Sequence, residues 1–384
     1  MHHMDKLSEI FISFLRKTLS EGKCSTYFTK TDLQNMHTQT KHHGVCAIVW
    51  DTLQQIFIED KLTPDQLPNK SLKLQWALSA EHIEKRYRKQ LALASELSEV
   101  YAIHGIGTVV LKGLAISRYY PTPEHRECGD LDCFLVKLDG SQPGYAPIKN
   151  SQGRPVACYD DGNQIATSAG ADVKIGFYKH SHITYKGLMV ENHAFCTAVR
   201  GSRKKKEFER HLQTLLTTQP LTPIGDSKLL SPCADFNALF LTVHSFQHFL
   251  TEGIKLRHVL DWALLIRAEQ DNIDWQSFYM WCDKMHFTKF ADALTAIAVE
   301  DLGIEITNPS IHTHSDLKDK VLEDILYSNN SVHNTKASKF KKRMMIIRNR
   351  LLGGWKYSEL YEKSAFIDTL EMIAAFFIER KPKI

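Results

Sequence analysis

The chain has 384 residues, 43% of them hydrophobic and 24% charged, enough for two or three units with their own cores. A formal charge of +4 excludes whole-chain polyelectrolyte behaviour, and eight cysteines without a C-x-x-C pair argue for reduced, mostly buried thiols over a zinc ribbon or disulfide frame. No apolar run approaches the roughly 18 residues that span a bilayer and no signal-peptide core stands near the start, so a cytoplasmic protein is expected.

The first hundred residues read as helical. Leu7, Ile10, Phe11, Phe14 and Leu15 form one helical stripe, and Val45, Ile48, Val49, Leu53 and Ile56 repeat it. Pro64 and Pro68 punctuate a loop. A long amphipathic helix is expected from Ser71 to His104, with Trp76, Ile83, Tyr87, Leu91, Ala94, Leu97 and Tyr101 near one side. This region is expected to be a packing cap.

The segment that follows carries the chemistry. Thr108-Val109-Val110-Leu111 has the β-branched, apolar character of a buried strand. Lys112-Gly113 ends it, Leu114 to Tyr120 has helical spacing, and Pro121 stops the helix. A second strand is expected over 129–136, Gly-Asp-Leu-Asp-Cys-Phe-Leu-Val. Alternation puts Asp130 and Asp132 on one face, about 6–7 Å apart, with Leu131, Cys133 and Leu135 on the other. Two acids on a core strand are costly without a cation. A hard divalent ion such as Mg²⁺ suits carboxylate oxygens and keeps positions open for phosphate.

From 137 to about 170, Gly140, Pro143, Gly144, Pro147, Gly153 and Pro155 predict a loop or hairpin excursion, with a short strand at 156–159. Asp160 and Asp161, before Gly162-Asn163, read as turn residues and are set aside as metal ligands. Val173, Ile175 and Phe177 alternate on a strand. His182 to His193 reads as two extended pieces around a Lys186-Gly187 turn, with Met189, Glu191 and His193 sharing a face. Arg203-Lys204-Lys205-Lys206 reads first as a solvated helix face.

Helices return from about 232. Phe236, Leu239, Phe240, Val243, Phe246 and Leu250 mark one that also carries His244 and His248, read as a core pair or a cleft lining. Arg257 and Asp261 have i,i+4 salt-bridge spacing. Further helices are expected at 275–285, 290–302 and 317–327. Lys336 to Arg350 interleaves basic residues with Met344, Met345, Ile346 and Ile347, a helix expected to pack its apolar side on its own domain. No internal repeat of 20–50 residues is visible.

Leu111-Lys112-Gly113, then Tyr119-Tyr120-Pro121, Arg126 and Gly129-Asp130-Leu131-Asp132, resembles the uncharacterised bacterial nucleotidyltransferases of the polymerase-β-like superfamily. Val190-Glu191-Asn192-His193 resembles the family's third-acid strand, and the His244/His248 helix with 256–261 its helical C-terminal half. The likeness covers about residues 75–270. It implies an α+β fold, a small mixed-sheet core over 105–217, flanked by helical regions at 1–104 and 218–384. It also implies Glu191 as the third catalytic carboxylate beside Asp130 and Asp132, the three holding Mg²⁺ or Mn²⁺. The expected reaction moves a nucleotide from an NTP to a hydroxyl, releasing pyrophosphate. Gly113 is expected to open a phosphate-cradling helix, and Lys112 and Arg126 to neutralise phosphate. Many superfamily members carry Gly-Ser at that turn, where this chain has Lys-Gly-Leu. A small-molecule or protein acceptor is preferred; the rival readings are an RNA-directed, toxin-like transferase and a non-catalytic nucleotide-binding regulator.

Overall fold

A computed structural model of the chain describes residues 4–20, 27–59, 62–140, 145–176, 178–219, 221–327, 339–352 and 354–378. Pro143, Gly144, Phe177 and Lys336, named above, lie outside them. Its centre is a seven-stranded mixed sheet in the order β3-β4-β5-β2-β1-β7-β6. The strands are β1 (Ile106–Val110), β2 (Leu131–Lys137), β3 (Asp172–Ile175), β4 (His180–Tyr185), β5 (Leu188–His193), β6 (Thr222–Pro223) and β7 (Leu229–Ser231). Strand β2 runs antiparallel to β1 and parallel to β5. Helices surround the sheet, so the fold is α+β, as expected.

Before the sheet come α1 (Lys6–Leu19), α2 (Lys30–His43), α3 (Cys46–Glu59) and α4 (Lys70–Ile103). The sequence reading missed α2, because KTDLQNMHTQTKHH has no continuous apolar stripe. Its signal is a capping box: Asp32 N–H bonds the Thr29 hydroxyl, and the Asp32 carboxylate accepts from Thr29 N–H. After β1 comes α5 (Leu114–Ser117), a single turn. The expected helix to Tyr120 is shorter, because the chain must fold back towards β2.

The expected turn at 160–163 is instead the start of α6 (Tyr159–Ser168), with Asp160 and Asp161 in its first turn, where carboxylates favour the helix dipole. Gly162 is there for packing. A Cβ added to it would collide with Leu135 Cδ1, so a larger residue there requires the buried Leu135 side chain to move. The short strand expected at 156–159 is replaced by isolated bridges, among them Val136 to Ala157. The β4–β5 hairpin turns at Lys186 (φ 48°) and Gly187 (φ 85°), the two positive-φ positions that a type I′ turn requires.

Strand alternation sorts the sheet's two faces. Ile106, Val110, Leu131, Cys133 and Leu135 pack with Tyr87, Ala94, Leu97 and Tyr101 of α4 and Ala166 of α6. Val109, Leu111, Phe134, Val136 and Leu230 face the larger core. Helices from both ends of the chain build that core: α1 and α3 with α8 (Ala234–Thr251), α9 (Leu256–Glu269), α10 (Trp275–Lys284), α11 (Thr288–Ala296) and α12 (Lys318–Tyr327). Helix α11 runs on through a π-helical turn to Asp301. Helix α7 (Arg203–Leu215) leads from the hairpin region into this half, and α13 (Lys339–Leu352) and α14 (Ala365–Ile378) follow. Among the described residues, no helix is long and apolar enough to cross a membrane.

Candidate active site

Parallel pairing of β2 with β5 sets Asp132 directly beside Glu191. Asp130, Asp132 and Glu191 each offer a carboxylate oxygen, and these lie within 4.8 Å of one another. The chain thus brings together all three acids that the sequence singled out, from segments some sixty residues apart. Their surroundings differ: the Asp130 side chain is 41% exposed, Asp132 3% and Glu191 21%.

Lys112, at the end of β1, closes over the aspartates. Its ammonium lies 2.5 Å from Asp132 Oδ2 and 3.6 Å from Asp130 Oδ1. On the other side His193 Nε2 stands 3.2 Å from Asp132 Oδ1 and 3.6 Å from Glu191 Oε2. Burial alone would raise the Asp132 pKa, but Lys112 and His193 hold it well below the usual carboxylate range. Burial would lower His193, yet hydrogen bonding with Asp132 and Glu191 raises it. A second half-buried cation, Lys179, feels the same acids; desolvation outweighs them and lowers its pKa. His180 Nδ1 at 3.3 Å and His182 Nδ1 at 3.6 Å also stand beside Glu191.

The acids face a cavity of about 1060 Å³ between the sheet and the C-terminal helices. Lys112, Lys179, Arg200, Arg257 and His258 line it with the carboxylates. Apolar Val243, Phe246, Leu250, Met285, Phe287 and Ile347 also line it, among charged Lys205, Arg350, Asp368 and Glu371. His244 and His248 line it too, which fits the cleft reading of that pair. Desolvation and the neighbouring His248 hold the His244 pKa well below its usual value. The basic run at 203–206 divides: Arg203 and Lys204 are exposed, whereas Lys205 lines the cavity.

Two expectations change here. Arg126 does not line the cavity. Its guanidinium is buried on Asp261, Nε to Oδ1 at 3.0 Å and Nη2 to Oδ2 at 2.7 Å, with Tyr120 Oη donating to the same carboxylate at 2.6 Å. That fork ties the β1–β2 connection to α9. Asp261 is therefore paired with Arg126, and Arg257 turns away to donate to the Glu127 carbonyl at 2.7 Å. Gly113 likewise stands behind the site: it caps a one-turn helix, and Lys112 is the residue of that pair that reaches the cavity.

Sequence reasoning did not assign Lys179, His180 or Arg257 a place at the site. The alternation His180-Ser181-His182 on the strand facing Glu191 was a usable signal for His180. The placement of Lys179 and Arg257 depends on how distant segments pack.

Three carboxylates with an oxygen each inside 4.8 Å of the others, facing the cavity, form a hard-oxygen donor set that fits a divalent cation. The ammonium of Lys112 against both aspartates shows that the spot calls for positive charge. A family model described as an uncharacterised nucleotidyltransferase matches residues 29–303. No curated protein and no solved structure matches the chain.

Proposed function

The chain belongs to this uncharacterised nucleotidyltransferase family, and from that membership we propose that it transfers an NMP from an NTP to a hydroxyl-bearing small molecule or protein in the cytoplasm, with pyrophosphate as the other product. Residues 105–217 would form the catalytic core. The observation that carries the reading is the Asp132–Glu191 register, which unites three acids at the mouth of a cavity.

Asp130, Asp132 and Glu191 would hold Mg²⁺, or Mn²⁺ in its place. Bound there, the metal supplies charge stabilisation at the phosphoryl oxygens and activation of the acceptor hydroxyl. Asp130 and Asp132 hold the nucleotide side of the site, and Glu191, on the neighbouring strand, the acceptor side. Lys112, whose ammonium stands at both aspartates, would be the nearest cation for a phosphate oxygen bound there. Lys179 and Arg257, which line the cavity with the acids, are the further cations for the triphosphate, a part the sequence had given to Arg126.

Cavity shape supports the acceptor preference. A volume of about 1060 Å³ stands at the upper end of small-molecule sites, which run to about 1,000 Å³, and leaves space for a second molecule beside a nucleotide. The lining mixes apolar Phe246 and Phe287 with charged Lys205, Arg350 and Glu371, which suits a small amphipathic acceptor. Purified protein incubated with each NTP, Mg²⁺ and cell extract, followed by mass spectrometry, tests this directly. A product heavier by one NMP, absent with EDTA, is the expected result; nucleotide hydrolysis with no adduct in any extract would count against transfer.

A further inference from the structure

Glu191 has a second set of neighbours besides the aspartates. Strand β4 pairs antiparallel with β5, placing His180 opposite His193 and His182 opposite Glu191. His180 Nδ1 lies 3.3 Å from Glu191 Oε2, and His193 Nε2 lies 3.6 Å from the same oxygen. One ligand atom from each of these three residues falls within 4.8 Å of the other two. Ligands at 2.0–2.1 Å from a tetrahedral ion stand about 3.3–3.4 Å from one another. The separations of 3.3 and 3.6 Å are close to such edges.

His193 gives an independent indication. Its side chain is 1% exposed, and its Nδ1 lies 3.1 Å from the Phe195 carbonyl oxygen. A carbonyl can only accept, so Nδ1 carries the hydrogen. The other nitrogen, Nε2, then points at two carboxylates, Asp132 and Glu191. Burial and that bond fix the ring with Nε2 directed at the carboxylates. An imidazole whose far nitrogen donates to a backbone carbonyl is also the arrangement that orients histidine for metal.

We infer that His180, Glu191 and His193 form a second cation site, adjacent to the aspartates and sharing Glu191, that takes a borderline transition-metal ion such as Zn²⁺ in preference to Mg²⁺. Two imidazoles and one carboxylate, with a position left open to the cavity, suit zinc-like ions, whereas Mg²⁺ prefers oxygen alone. His182, with Nδ1 3.6 Å from Glu191 Oε1, stands over the other oxygen and is not needed for the set. The inference deepens the metal reading given above, because Glu191 serves both sites, but its own ligands are the histidines.

The test uses full-length, EDTA-stripped protein titrated with Co²⁺ alone, read by visible absorption. Four- or five-coordinate Co²⁺ absorbs intensely, and six-coordinate Co²⁺ in an oxygen shell hardly at all. The expected result is an intense band saturating at one equivalent, displaced by Zn²⁺ and not by excess Mg²⁺. His180→Gln and Glu191→Gln should each weaken it by at least about tenfold, while Asp130→Asn keeps it. His180, at 21% side-chain exposure, carries the comparison, since changing buried His193 risks the fold. A band that survives His180→Gln but disappears in Asp130→Asn would assign the ion to the aspartates and overturn the inference; so would the lack of any intense band. Retained Co²⁺ binding in a protein that never transfers nucleotide would support this site while sinking the function proposed above.

Discussion

Replacing Asp132 by Asn in the metal-free protein should cost stability, although the change removes one of three clustered negative charges. Repulsion alone predicts a gain. The geometry reverses the sign, because Asp132 is 3% exposed and is the nearest partner of Lys112, at 2.5 Å. Stripping one partner from a buried ion pair costs about 3–5 kcal/mol, most of it the stranded charge. Lys112 keeps Asp130 at 3.6 Å and is itself 21% exposed, which reduces the loss to about 2–3 kcal/mol. Asp130→Asn should cost under about 1 kcal/mol, since the Asp130 side chain is 41% exposed. Urea unfolding in EDTA, followed by tryptophan fluorescence, measures the difference between the two variants. An Asp132→Asn protein as stable as wild type, or less affected than Asp130→Asn, would refute the view that Lys112 neutralises this carboxylate.

Arg126→Met should destabilise by about 3–5 kcal/mol by stranding buried Asp261, and the protein that remains folded should bind NTP nearly as wild type; a large rise in nucleotide Kd with unchanged melting would restore Arg126 to the phosphates. Gly162→Ala forces a methyl against Leu135, which is 1% exposed, and should cost about 1–3 kcal/mol by overpacking, read as a lower Tm. His125 sits between Asp51 at 2.6 Å and Glu84 at 3.1 Å; burial would lower its pKa, but the two carboxylates raise it above the usual 6.5. A raised folded-state pKa contributes stability that is complete below 6.5 and is lost as pH rises through the folded value, so Tm should fall across that window. In His125→Gln that slope should flatten, and an unchanged slope would reject the assignment.

Legibility in the sequence followed the range of the interactions. The aspartate face and the hairpin were readable because alternation and turn chemistry are local. Leu131, Cys133 and Leu135 do form the opposite face, packed under α4 and α6. Glu191 needed a pairing between strands far apart in the chain, and only the family likeness pointed to it. Gly162 misled because a glycine after two aspartates looks the same whether it turns the chain or lets a helix approach a strand. Arg126 and Arg257 exchanged parts for a similar reason: i,i+4 spacing favours Arg257 with Asp261, but α9 turns Asp261 inward to Arg126 and Tyr120. Strands β6 and β7, of two and three residues, are too short for any periodic signal.

The central claim is that Asp130, Asp132 and Glu191 act together on a metal-bound nucleotide. Equilibrium binding of each NTP, with Mg²⁺ and with EDTA, to wild type and to Asp130→Asn, Asp132→Asn and Glu191→Gln tests it most directly, with turnover measured alongside. The expected result is Mg²⁺-dependent binding that both aspartate variants lose, while Glu191→Gln keeps most of the affinity and loses turnover by orders of magnitude. Wild-type turnover in either aspartate variant at saturating Mg²⁺, or equal loss of affinity in all three, would contradict it.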